Sequence, residues 1–192
     1  MMERCEALVI GGSAGSLEVL LKILPGLDPA LRFPIIIVLH RMSGRDSILT
    51  DLLAAKTKLQ VKEVDEKEKM QPATIYLAPP NYHLLIENDH TFSLDASEKV
   101  NFSRPSLDVS FESAADVFGK NMAGLLLSGA NSDGTAGLKI IAQQGGKVLV
   151  QNPLTAVVNY MPAHALEQIE ADAILTPDEM PDYINSLTTE RQ

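Results

Sequence analysis

A single cysteine, no tryptophan, and aromatics at only 5% of 192 residues are the plainest deficits of this sequence. One cysteine excludes an intramolecular disulfide, and with it the small stapled folds of oxidising compartments. Cys5 stands just before the first apolar run and is expected to be a packing residue, not a nucleophile. Few aromatics leave a core of Val, Ile, Leu and Ala, as in parallel sheets buried on both faces. The longest apolar run, Phe33 to Leu39, falls far short of the ~20 residues needed to cross a bilayer. No basic, apolar and cleavable leader opens the chain, so a cytoplasmic protein without membrane insertion is expected. Positive charge is also scarce: 16 Lys and Arg stand against 25 Asp and Glu, a formal net charge of −9. With no basic cluster to offset that balance, a general nucleic-acid binder is not expected. The densest charge run, Glu63 to Lys69, mixes both signs and reads as a solvated connection between strands.

What is present is alternation. Strand signals fall at Ala7–Ile10, Ile35–Leu39, Gln60–Glu63, Thr74–Leu77, Leu125–Leu127, Lys147–Val150 and Ala173–Leu175. Helical signals fall at Ser16–Leu24, Ile48–Lys56, Val109–Phe118, Thr135–Gln143, Ala163–Glu170 and Pro177–Leu187. This order predicts an α/β fold, a doubly wound and mostly parallel sheet flanked by helices on both faces. His83–Glu87 and Thr91–Ser93 predict an added antiparallel hairpin. No repeat, low-complexity tract or linker divides the chain, so residues 1–192 are expected to form one domain.

Ligands of such sheets bind beyond the carboxyl ends of the strands, and three reactive side chains fall there. Ser13 lies in Gly11-Gly12-Ser13-Ala14-Gly15 after the first strand, a Gly-x-Ser-x-Gly turn that exposes a serine at a helix start. The same turn also suits a phosphate cradle or a plain tight βα connection. His40 ends the second strand, and Asp133 lies in Ser128-Gly129-Ala130-Asn131-Ser132-Asp133-Gly134. Each has a structural alternative: His40 as a polar group closing a strand, Asp133 as a turn residue and helix cap. Taken together they form a nucleophile, a base and an orienting carboxylate reaching one crevice. Their order, Ser…His…Asp, and a serine on the first strand argue against an α/β-hydrolase. Gly11, Gly12 and Gly15 lack the Gly-x-Gly-x-x-Gly spacing, and no acidic residue ends the second strand, which argues against a dinucleotide site.

Several blocks carry a family resemblance: Val9 to Gly15, Ile37 to Met42, Ile75 to Leu84, Ser103 to Asp108, Leu126 to Gly137, Gly145 to Gln151 and Ala156 to Pro162. In that order they resemble the catalytic domain of CheB-type chemotaxis methylesterases. The resemblance implies a Ser-His-Asp triad at Ser13, His40 and Asp133, acting without metal or organic cofactor. It implies hydrolysis of glutamate γ-methyl esters to glutamate and methanol, with deamidation of glutamines alongside. The implied substrate is the methylated cytoplasmic region of a chemoreceptor.

Two stretches depart from the family pattern. Ser13-Ala14-Gly15-Ser16 stands where Ser-Thr-Gly-Gly is common, and Gly129-Ala130-Asn131 where Gly-Met-Gly is usual. Backbone N–H groups of Ala14 and Ala130 are the candidate oxyanion hole, and a backbone donor survives both changes. Arg104 is read either as a substrate-carboxylate anchor or as an internal partner of Asp108. Arg41, Arg45 and Arg104 are the basic residues expected near the strand ends. His83 is read as packing, and His164 as a helix N-terminal residue without a catalytic task. A first strand at Ala7 leaves no room for the family's receiver domain, so control is expected from expression, a separate receiver protein or a methyltransferase partner. The competing readings are a serine esterase or amidase on a non-receptor substrate, and a catalytically weak receptor-binding scaffold.

Overall fold

A computed structural model describes residues 4–41 and 46–188. Its centre is β1 (Ala7–Gly12), six residues buried on both faces, which is why the run is apolar without alternation. Parallel neighbours are β2 (Ile35–Leu39) on one side and β7 (Met122–Leu126) on the other. The sheet extends through β4 (Thr74–Leu77) to β3 (Gln60–Glu63), and through β8 (Lys147–Gln151) to β9 (Ala173–Leu175). All seven strands are parallel, in the order β3-β4-β2-β1-β7-β8-β9. From β1 the chain winds towards β3 and β4, then returns to lay β7 on the other flank of β1. Strand order therefore reverses between β1 and β7, where a crevice opens beyond the carboxyl ends.

Side chains alternate between two cores with the period of a strand. Leu8, Ile10, Ile35, Ile37, Leu125 and Leu127 face α1 (Ser16–Ile23) and α6 (Met180–Ser186), with α2 (Asp46–Ala54) adding Leu53. Val9, Ile36, Val38, Leu126, Val148 and Val150 face α3 (Leu107–Phe118), α4 (Thr135–Gln143) and α5 (Tyr160–Gln168). The expected hairpin, β5 (His83–Ile86) with β6 (Phe92–Asp95), is antiparallel and forms its own two-stranded sheet on this second face. It is held to α3 by side chains: Ser110 Oγ donates to the Leu84 carbonyl at 2.8 Å, and Ile86 N–H donates to Ser113 Oγ at 3.1 Å.

Element ends differ modestly from the sequence reading. β7 begins at Met122, three residues before Leu125, because Ala7 pairs with Met122 and carries the ladder back to that point. α6 starts at Met180 instead of Pro177: Glu179 Oε2 accepts from both the N–H and the hydroxyl of Thr176 at 2.8 Å, making a turn first.

Gly137 lets α4 lie directly on α3. A Cβ there would come within 2.6 Å of Phe111 Cβ and 3.1 Å of the Asp108 backbone. Alanine ordinarily gains about 0.5–1 kcal/mol over glycine inside a helix. Gly137→Ala is expected to do the reverse and lower stability by about 1–3 kcal/mol through overpacking. Urea unfolding checks this, and a raised midpoint would contradict so close a contact.

Candidate active site

The Ser13 turn is built by what it cannot do. Gly15 has φ 82, a left-handed conformation that glycine adopts freely, and a Cβ there would lie 2.7 Å from both Ser128 Oγ and Val157 Cβ. The chain thus turns from β1 into α1 within three residues, and Ser13 remains partly open to solvent. Ser128, wholly buried, grips both sides of the turn. Its carbonyl accepts from Ser13 N–H at 2.9 Å and from Ser16 Oγ at 2.7 Å. Its hydroxyl donates to the Ala14 carbonyl at 2.7 Å and accepts from Val158 N–H at 2.9 Å. Buried Gln151 completes the clamp, accepting from Ser128 N–H at 3.0 Å. Between these tethers the Ala14 N–H has no partner among the described residues, and neither has that of Ala130. Both alanines are exposed, and Gly129, next to Ala130, lies against Ser13: a Cβ on it would be 3.1 Å from the Ser13 Cβ.

His40 arrives from β2. Gly12 pairs with Leu39, so Ser13 and His40 are the next pair in the same register, and His40 N–H donates to the Gly12 carbonyl at 3.1 Å. The ring points towards β7, where Nε2 meets Asp133 Oδ2 at 2.7 Å. The imidazole side chain is 12% exposed and the carboxylate 0%. With Nε2 committed, Nδ1 is the ring atom left for substrate chemistry. Ser13 Oγ makes no hydrogen bond among the described residues, so its tie to His40 is adjacency of backbone. Hydroxyl-to-base bonds are often loose until substrate arrives.

Asp133 stays charged in a dry site because it is the anion at a helix start. Besides His40 it accepts from Asn101 Nδ2 at 2.8 Å, Ser106 Oγ at 3.0 Å, Leu107 N–H at 2.7 Å and Asp108 N–H at 3.1 Å. The last two are free N–H groups of the first turn of α3, which favour an anion. Asp108 does the same for α4, accepting from Gly134 N–H at 3.0 Å and Gly137 N–H at 2.7 Å. Each helix start is thus capped by the carboxylate belonging to the other, and Asn101 Nδ2 bridges the two acids, reaching Asp108 at 2.7 Å. Burial pushes Asp133 upward, but the His40, Leu107 and Asn101 hydrogen bonds outweigh it and hold the carboxyl below its ordinary value. Asp108 goes the other way: burial, together with the charge of Asp133, raises it.

The other expectations divide. Cys5 is buried, and desolvation lifts its thiol to about 12, so it packs and does not react. His83 is buried with both nitrogens used, Nδ1 accepting from Ser106 N–H at 3.2 Å and Nε2 donating to the Glu98 carbonyl at 2.8 Å. His164 sits inside α5, stacked on Tyr160 at 5.6 Å. Arg104 does not pair with Asp108. Its Nη1 donates to the carbonyls of Ala96 and Ser97 at 2.8 and 2.7 Å, because Asp108 is already committed to α4. Arg104 does line a cleft of about 450 Å³ together with His40, Arg41 and Asn81. Arg41 is tied to Glu63 and to the Ala78 carbonyl, both at 2.8 Å. Arg45 lies outside the described residues.

Comparison with known proteins decides the relationship. The family model for CheB methylesterase matches residues 8–184. The chain belongs to the CheB methylesterase family. A Leptospira interrogans protein, provisionally named protein-glutamate methylesterase/protein-glutamine glutaminase, is 46% identical over 171 residues, covering 89% of each chain. A Thermotoga maritima protein of that name is 32% identical over 183 residues, and there the chain spans 53% of the relative's length. The crystal structure of the Thermotoga maritima CheB methylesterase catalytic domain matches with a TM-score of 0.91 at 32% identity, over 95% of this chain and 98% of that one. This is a family of hydrolases. Within the CheB fold, sequence reasoning missed Asn101, Ser106, Asp108 as a cap, Ser128 and Gln151. Ser106-Leu107-Asp108 before an apolar helix is a cap signal that could have located two of them.

The site makes a pH prediction. Because the folded-state value of Asp133 is depressed, its stabilising effect is present above the ordinary 3.8 and disappears as pH falls through the folded-state value. Asp133→Asn is expected to cost about 3 kcal/mol at pH 7, the scale for breaking one side of a buried charged pair. That gap between the parent and the variant should narrow in urea titrations below pH of about 4. A gap independent of pH would show that Asp133 is not ionised in the fold.

Proposed function

We propose that this chain hydrolyses glutamate γ-methyl esters of a protein substrate to glutamate and methanol, with Ser13, His40 and Asp133 as its triad. The single observation that carries the reading is the 2.7 Å bond between His40 Nε2 and the buried Asp133, on the strand paired with the one that ends at Ser13. Support for the substrate comes from the relatives, named protein-glutamate methylesterase/protein-glutamine glutaminase. The methylated cytoplasmic region of a chemoreceptor is the substrate we assign.

Ser13 Oγ attacks the ester carbonyl carbon while its proton passes to His40 Nδ1. In serine proteases the same ring uses its nitrogens the other way round, with Nδ1 facing the aspartate. The roles are equivalent, since one nitrogen must be held and the other must face the nucleophile. The tetrahedral oxyanion is received by the free N–H groups of Ala14 and Ala130. Collapse expels the methoxy group, which takes the proton from His40 and leaves as methanol. Water then attacks the glutamyl-serine ester, His40 taking and returning one proton, and glutamate is released. A glutamine amide follows the same route with ammonia as leaving group. Asp133 keeps Nε2 protonated and balances the imidazolium charge formed in each step.

Ser13→Ala is expected to lower methanol release from methylated receptor membranes about a million-fold, with the fold intact by circular dichroism. His40→Ala should match it, and the double variant should be no slower than either single one, because the residues act as a unit. Losses that multiply would contradict a shared mechanism.

A further inference from the structure

The segment between β6 and α3 is pinned at nearly every residue. His83 holds the Glu98 carbonyl, Arg104 holds the carbonyls of Ala96 and Ser97, and Asn101 Nδ2 holds the carboxylates of Asp108 and Asp133. At its tip Val100 and Ser103 exchange N–H···O bonds of 3.1 and 2.9 Å, closing a two-residue turn over Asn101 and Phe102. Both central residues are left-handed, with φ 51 and 62, the pattern of a type I′ hairpin turn. Asparagine tolerates the first of these positions. The second is ordinarily glycine, and here it is phenylalanine, 96% exposed. A strained backbone and a large apolar side chain in water are two costs at one residue, and among the described residues no hydrogen bond or ring contact of the Phe102 side chain offsets either.

Phe102 stands on the rim of the cleft that holds His40, beside Lys99, Ser103 and Arg104. Lys99 and Arg104 form no ion pair among the described residues, and Arg104 Nε is shielded from solvent without a hydrogen-bond partner. In a chain of net charge −9, two cations with no ion-pair partner among the described residues, beside an exposed phenyl ring, are complementary to an acidic segment that also carries an apolar residue. We propose that Phe102, backed by Lys99 and Arg104, is the docking point for the polypeptide flanking the scissile ester. Its occupant is an acidic, amphipathic stretch of the protein substrate whose apolar side chain packs on the ring while its carboxylates face the two cations. The inference rests on the hydrolytic reading above and adds to it the class of sequence recognised. Rigid attachment of the turn to Asp133 through Asn101 sets the docked segment at a fixed distance from the reacting groups.

The test is binding by the Ser13→Ala protein, which holds substrate without turnover. The probe is a fluorescent helical peptide with one glutamate γ-methyl ester, flanking glutamates and one leucine a helical turn away. A second peptide has serine in place of that leucine. Adding Phe102→Gly is expected to raise Kd about tenfold for the leucine peptide and less than twofold for the serine peptide, a hot-spot effect. Lys99→Glu should weaken both peptides and flatten their salt dependence. The urea midpoint of Phe102→Gly should be unchanged or higher, since glycine takes a positive φ freely. A Kd within twofold of the parent, equal weakening of both peptides by Phe102→Gly, or a lower midpoint would overturn the proposal. Methanol release by the unsubstituted enzyme is read separately. Phe102-dependent binding without methanol supports the docking surface and overturns the hydrolytic reading, and methanol with an unchanged Kd does the opposite.

Discussion

A buried carboxylate costs several kcal/mol unless donors replace the water it gives up, and most of this fold's active end follows from how Asp133 meets that condition. Its donors come from Asn101, from the start of α3 and from His40. Asp108 serves the start of α4 in return. The crossed caps fix α3 against α4, and that contact is close enough to require glycine at position 137. They also fix the direction in which His40 points. If His40 is the base we propose, stability and chemistry are tied to the same few hydrogen bonds, and the anion that orients it is in place before any substrate binds.

The other half of the site is organised by Ser128, which holds the carbonyl of Ala14 with its hydroxyl and the N–H of Ser13 with its carbonyl. Constraint on both sides leaves the N–H of Ala14 without a partner among the described residues, between two anchored peptides. In the mechanism we propose, this is how the chain accommodates alanine at positions 14 and 130. What an oxyanion needs at both places is a backbone donor in a held orientation, and the side chain contributes nothing to that bond.

The parallel sheet was legible because its strands are continuous apolar runs and its helices keep their own period. That Ser13, His40 and Asp133 lie close together was legible for a related reason: each directly follows or lies shortly beyond a recognisable strand, and a parallel sheet gathers such positions at its carboxyl end. The crossed caps were not legible, since Asp108 and Asp133 each look like a cap for the nearer helix. Local patterns do not reveal an exchange of partners between two helices that only the fold brings together. The turn at Asn101 and Phe102 escaped for the opposite reason, having no glycine to announce it. Of the two readings of Arg104, pairing with Asp108 failed because the sequence gave no sign that α4 already occupied that carboxylate.

The central claim is that Asp133 holds His40 by Nε2 and leaves Nδ1 as the base facing Ser13. Nitrogen-15 NMR of histidine-labelled protein, with His40 assigned by its loss in His40→Gln, reads this directly. For the neutral ring the account predicts a proton on Nε2 and a bare Nδ1. It also predicts that Asp133→Asn removes this preference. A ring protonated on Nδ1, or one that samples both tautomers alike in the parent protein, would contradict it.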